Sequence, residues 1–241
     1  LLALEILLSR RLPESAPTPP STRSLRGQVY DFLRGEMGRG GLKPGGFLDL
    51  NRLAGSLGIS RTPLRDALLQ LEVEGFVEIL PRRGIRLRPL TAEEIRNLYQ
   101  IVGALESAAV AVAGPRLGKA GLARMQAENL AMRRALAAGD YDLFHAHNRA
   151  FHGVFLDACA NPRMAALVES LKQRLYDWPR RETLLADWEE RSLEEHARLV
   201  ALLDDGKYEE AGAFHRDVHW SYTVQENFIR AYYQLDSQAR G

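Results

Sequence analysis

The stretch Leu53-Ala54-Gly55-Ser56-Leu57-Gly58-Ile59-Ser60-Arg61-Thr62-Pro63-Leu64-Arg65-Asp66-Ala67-Leu68 decides the fold. Leu53, Ala54 and Leu57 recur at helical spacing, and Gly58 stands where a helix can end in a left-handed cap. Ser60 or Thr62 can cap the next helix, and Pro63 suits its first turn, where a missing N–H costs nothing. Leu64, Ala67, Leu68 and Leu71 then form one apolar face.

On the N-terminal side, Leu25, Val29, Phe32, Leu33 and Met37 predict a preceding helix, and the glycine-rich run after it predicts a loop. On the other side, Phe76–Leu80 and Ile85–Leu87 are β-prone, with Pro81-Arg82-Arg83-Gly84 as the turn between them. Three helices followed by a hairpin is the winged helix-turn-helix order. Residues 25–90 are therefore predicted to form that domain.

From Thr91 the character changes. Thr91-x-x-Glu94 is a capping-box signature. Helices are predicted at about 92–113, 119–138, 140–159, 161–178, 187–204 and 207–234, with breaks at Gly114-Pro115, Gly139, Asn161-Pro162, Pro179 and Asp205-Gly206. Residues 91–236 thus read as an all-helical bundle, and the whole chain as mainly α. Residues 1–24, with four prolines, read as an extended leader.

Composition narrows the function. The 241 residues are 46% hydrophobic, enough for a real core and too apolar for a disordered chain. One cysteine, Cys159, excludes a disulfide framework and a cysteine-based zinc finger. Apolar runs stay well short of a membrane span, so no membrane partner is expected.

The formal net charge of +1 argues against nucleic acid until it is split at residue 90. Residues 21–90 hold 12 basic and 7 acidic side chains, a balance of +5, whereas residues 91–241 hold 18 and 22, a balance of −4. Such asymmetry points to DNA contact by the smaller domain.

The second helix of a helix-turn-helix enters the major groove by its N-terminal end. Arg61 and Arg65 lie four residues apart on one face and can offer guanidinium forks to guanine or phosphate. Ser60 and Thr62 are short donors for phosphate at a helix start. Arg82, Arg83 and Gly84 put two cations on a narrow wing tip. Arg34, Arg39, Lys43 and Arg52 would add phosphate contacts if they face the same way.

The residues Leu42-Lys43-Pro44-Gly45, the quoted stretch, Leu71-Glu72-x-Glu74-Gly75-Phe76-Val77 and Pro81-Arg82-Arg83-Gly84 closely resemble the GntR family of bacterial transcription regulators. The resemblance implies DNA contact at Ser60, Arg61, Thr62, Arg65 and Gly84. Residues 91–236 resemble the all-helical effector domain of the FadR-like subfamily, the FCD domain, through Phe151-His152, Asn161-Pro162 and Glu195-His196. That resemblance implies a divalent metal, Zn or Ni, held by a carboxylate and three histidines beside a small organic acid.

The chain departs from this pattern in three places. The carboxylate position is Asn148, the last histidine position falls by counting on Val218, and an arginine available for an effector corresponds to Gly103. His215 lies three residues before Val218, close to its helical face, while His219 is rotated about 100° away. A site of Asn148, His152, His196 and His215, with Val218 and Tyr222 lining the same pocket, is one reading. Core histidines hydrogen-bonded to their neighbours is the other.

The expectation is a cytoplasmic, homodimeric repressor that binds a pseudo-palindromic double-stranded operator and answers to a small-molecule effector. Ile101, Val110, Val112, Leu167 and Leu171 could form a dimer face or bundle core. Two alternatives stand beside this reading. One is a winged-helix protein-interaction scaffold without effector. The other is a metal-dependent hydrolase with Glu106 or Glu195 as base, for which no nucleophile or oxyanion loop is recognisable.

Overall fold

A computed structural model describes residues 24–38, 41–176 and 185–235. The leader up to Arg23, together with Arg39 and the expected break at Pro179, lies outside the described residues. The described chain divides into two compact units. One takes in residues 24–90 with 173–176, the other residues 91–172 with 185–235.

The first unit runs α1 (Leu25–Gly38), β1 (Phe47–Leu48), α2 (Leu50–Leu57), α3 (Arg61–Val73), β2 (Val77–Leu80) and β3 (Gly84–Leu87). Val29, Leu33 and Met37 recur at intervals of four and are buried on α1. They meet Leu64, Ala67, Leu68 and Leu71 of α3 and the Phe76 ring in one core. The Asp49 carboxylate caps α2, accepting from the Asn51 and Arg52 amides at 2.8 and 2.9 Å. Ser60 holds the N-cap position of α3 in extended backbone, but its hydroxyl makes no capping bond.

The sheet has three antiparallel strands in the order β1-β3-β2. The sequence predicts only the hairpin. Phe47 and Leu48 add an edge strand, opposite Arg86 and Ile85.

The second unit is built on α4 (Ala92–Ala138), α5 (Tyr141–Ala158), α6 (Pro162–Tyr176), α7 (Ala186–Asp204), α8 (Tyr208–Phe214), a π-helical turn (His215–His219) and α9 (Tyr222–Tyr233). Thr91 starts α4 with the expected capping box.

The break in α4 is not at Gly114-Pro115. Both stay helical, and Gly118 leaves the helix at φ 55° and ψ −176°, a conformation costly for any residue with a Cβ. Proline loses one intrahelical bond, whereas the left-handed residue changes the direction of the chain. The helix predicted at 207–234 is likewise three pieces, because a π turn intervenes.

By length and composition alone α4 could cross a membrane. It carries the buried Glu106–Lys172 ion pair, however, and packs Ala109, Val110, Ala113 and Met125 against Phe144, Phe151 and Leu199. It is the core helix of the bundle.

Candidate functional site

Two groups of predicted residues have opposite settings. In the first unit, Ser60, Arg61, Thr62 and Arg65 are all exposed at the start of α3, on the side away from its buried leucines. Arg52, Arg82, Arg83 and Gly84 line one open groove of about 670 Å³ with Asp49 and Phe47. The wing tip is turned by Arg82 and Gly84, both at positive φ. Arg34 is placed differently. Its guanidinium lies 3.9 Å over the Phe76 ring, and it donates to Gln173 Oε1 at 3.2 Å.

In the second unit the chemistry is buried. Glu106 of α4 is the hub. Its Oε2 accepts from His152 Nδ1 of α5 at 2.8 Å, His215 Nε2 of the π turn at 2.8 Å and Trp220 Nε1 at 2.7 Å. Its Oε1 accepts from Lys172 Nζ of α6 at 3.0 Å. Burial alone would push this carboxyl up. His152, Lys172 and the ring N–H donors hold it well below the usual carboxylate range. Burial pushes His152 down to about 3 and His215 down to about 4, against the pull of Glu106. A neutral imidazole that gives its Nδ1–H to a carboxylate keeps a bare lone pair on Nε2. His152 Nε2 is buried and has no hydrogen-bond partner in the protein.

A second carboxylate does the same for His219. Glu195 Oε2 accepts from His219 Nδ1 at 2.8 Å, while Arg191 and Gln225 occupy Oε1 at 3.0 Å each. His196 is stacked on Phe151 at 4.1 Å, and neither of its ring nitrogens has a partner. Burial holds it neutral, well below the usual histidine range. One nitrogen from each of His152, His196 and His219 falls in a cluster whose members lie within 4.8 Å of one another.

The placement of His219 differs from the sequence expectation, and the π turn is the reason. The Trp220 amide bonds to the His215 carbonyl five residues back, at 2.9 Å. Such a turn holds one residue more than an α turn, so every later side chain is set back by one position. His219 thereby takes the place that an unbroken α-helix gives to Val218. Val218 contributes only its carbonyl, to Gln225 Nε2 at 3.2 Å. His215 points its Nε2 at Glu106 instead of at the three-histidine cluster.

Asn148 lies one turn before His152, and its Oδ1 is buried without a partner. Tyr222 is buried beneath the Arg96 guanidinium, 4.8 Å away, and its hydroxyl also lacks a partner. The absent arginine is explained by packing. A Cβ on Gly103 would come within 2.9 Å of Trp220 Cβ, so the ring that bonds Glu106 requires a glycine here.

The four-residue spacing of His215 and His219 is the ordinary α-helical one and gave no signal of the π turn. Lys172 and Trp220 gave none. A second group, Glu106 with His152 and His215, has its carboxylate already engaged by four donors, one of them an ammonium. A carboxylate so engaged is a poor metal ligand.

Two family models cover this chain. The gntR family of bacterial regulatory proteins matches residues 25–87, and the FCD domain matches residues 97–218. The protein belongs to the GntR family. Among relatives of this GntR chain, the Nta operon transcriptional regulator of Aminobacter aminovorans is 30% identical over 176 residues, covering 71% of this chain and 80% of the relative. The HTH-type transcriptional regulator McbR of Escherichia coli is 30% identical over 152 residues, covering 63% and 69%. A solved structure of E. coli McbR/YncC superimposes with a TM-score of 0.62 at 26% identity, over 88% of this chain and 99% of that one. This GntR-family protein is accordingly a DNA-binding transcription regulator, not an enzyme.

Proposed function

We propose that this GntR-family regulator is a cytoplasmic, homodimeric repressor whose helical unit holds one divalent metal and senses a small organic acid. The observation that carries the metal reading is the pair of carboxylate-oriented histidines. Glu106 and Glu195 each fix one imidazole by Nδ1, and the third histidine keeps both nitrogens free of protein partners. A carboxylate behind a ligating imidazole fixes its tautomer and raises its basicity. His152, His196 and His219 would hold the ion, with Asn148 Oδ1 as the fourth donor. Three imidazoles suit Zn²⁺ or Ni²⁺, and a neutral amide weakens the site relative to a carboxylate.

A bound cation would supply an electropositive centre for an effector carboxylate. Gly103 stands where the family resemblance places an arginine that could offer one, so a bound ion would carry that role here.

Operator contact is assigned to Ser60, Arg61, Thr62 and Arg65 in the major groove, and to Arg52, Arg82, Arg83 and Gly84 along the backbone and wing. Arg34 is left out, because its guanidinium is engaged over Phe76. A dimer on a pseudo-palindrome is supported by exposed apolar residues on the helical unit. Ile101 and Val112 of α4 and Leu167 of α6 are each close to half exposed, while Val110 is core and Leu171 half-buried.

The test is elemental analysis of tag-free protein, with Zn²⁺ titration of the apo form. One ion per chain is expected, lost in His219→Ala and retained in His215→Ala. Asn148→Asp should tighten binding, because a carboxylate is a stronger donor to the ion than a neutral amide. No stoichiometric ion, or loss in His215→Ala alone, defeats this ligand set.

A further inference from the structure

Strand alternation in the small sheet puts Leu48, Ile85 and Ile79 in one row on the core side. The adjacent row, Phe47, Arg86 and Glu78, faces the other way. Arg86 and Glu78 pair at 2.8 Å, as an outward face in water allows. Phe47 is 52% exposed in that row, where a half-solvated sheet ordinarily shows a polar side chain. A single exposed ring needs no explanation by itself, but this one walls the groove that holds Arg52, Arg82 and Arg83. We infer that Phe47 contacts DNA, its ring packing on the deoxyribose face of the strand whose phosphates those three arginines bind. This rests on the assignment of the arginines to the DNA backbone above.

The groove carries cations on two sides. Arg52 stands in the first turn of α2 and Arg82 and Arg83 on the wing tip, all three exposed. The tip lies close against β1, since a Cβ on Gly84 would meet the Leu48 carbonyl at 3.3 Å. Tip and edge strand are thereby set as two walls of one groove. The carboxylate among the lining residues is Asp49, and it is taken up in capping the Asn51 and Arg52 amides. The balance is cationic, which suits a polyanion.

A DNA strand presents a phosphate and an apolar sugar face in alternation. The phosphate needs the arginines, and the sugar needs an apolar surface that excludes water. Leu48 and Leu53 line the groove but are buried, so the exposed apolar surface there is the Phe47 ring. Water excluded by that ring also strengthens the neighbouring arginine–phosphate contacts. Insertion between base pairs is a different use of an apolar side chain, and it requires a ring free to enter the stack. Phe47 is half covered and belongs to a wall, so its setting serves the sugar contact.

The test uses the full chain, with binding read by fluorescence anisotropy across a series of salt concentrations. One duplex is enriched from a random-sequence library by the unmodified protein, and the other is a shuffled duplex of the same composition. Phe47→Ala should weaken both about tenfold, the scale set by roughly 60 Å² of apolar surface returned to water. A sugar contact carries no sequence information, so the ratio between the two duplexes should hold. The slope of log affinity against log salt should hold as well, because a phenyl ring neutralises no phosphate. Phe47→Leu should recover most of the loss. Val73→Ala, a change at an exposed apolar residue ending α3, should have no effect.

Unaltered affinity in Phe47→Ala overturns the contact, as does an equal loss in Val73→Ala. A loss confined to the enriched duplex assigns the ring to base readout or insertion and overturns the sugar contact too. Joint Arg82→Ala and Arg83→Ala replacement separates this inference from the reading beneath it, and should lower the salt slope by about 2. With that fall and no loss in Phe47→Ala, the sugar contact alone fails. Without that fall the groove is not on the DNA backbone, and both readings fail together.

Discussion

The two units carry their chemistry in opposite ways. In the winged helix the cations are exposed, sit near one another in sequence, and lie on short elements set by local caps. In the helical unit the decisive groups are buried and converge from five separate elements onto two carboxylates. Exposed arginines can be removed without disturbing what lies beneath them, whereas no member of a buried network is independent of the rest. Affinity for DNA is therefore separable from stability, and sensing is not.

The strongest way to break that contrast is Glu106→Ala. It strands Lys172 and three ring N–H donors in the core, and a loss of about 3–5 kcal/mol of stability is expected from such a vacancy. Chemical denaturation measures it. A loss under about 1 kcal/mol would mean that the hub is dispensable and the contrast misplaced.

Next comes the pair Arg61→Ala and Arg65→Ala. Each should weaken operator binding by about 1–3 kcal/mol if it makes a bidentate base contact. Exposed positions of this kind should leave the melting temperature nearly unchanged. Anisotropy titration with parallel thermal melts checks both halves, and a large stability loss would show the surface to be less separable than its exposure indicates.

The smallest effect concerns pH. Burial pushes the Glu189 carboxyl up to about 8. A carboxyl whose folded pKa is raised binds its proton more tightly folded than unfolded. Its favourable contribution is present at low pH and lost as pH rises from the ordinary carboxylate range through about 8. Glu189→Gln should remove that slope, narrowing the fall in melting temperature between pH 5 and pH 8.5. An identical profile for both proteins would mean that Glu189 is ionised in the fold.

Legibility in the sequence divides along the same line. The Thr91 capping box, the Gly58 cap and the leucines of α3 are interactions across one to four residues, so spacing alone reveals them. The Gly118 kink was misplaced to Gly114-Pro115 because proline is the louder signal, although it breaks fewer constraints than a left-handed backbone. Strand β1 went unseen because two residues have no period. In the site, His152, His196 and Asn148 were legible from their spacing and the family resemblance. Glu106 was noticed only as a base for an enzymatic alternative, and Lys172 and Trp220 not at all.

By itself, the sequence determined a winged helix with a basic reading edge, a helical partner domain, and the histidines from which a site could be made. Only the tertiary structure decided which histidines face one another. A π turn moves every later side chain by one position, and a carboxylate on α4 chooses its donors by packing across the bundle. Helical register is a local property that spacing encodes. A partner shared among separate elements is a property of the closed core, and it exists only once that core has formed.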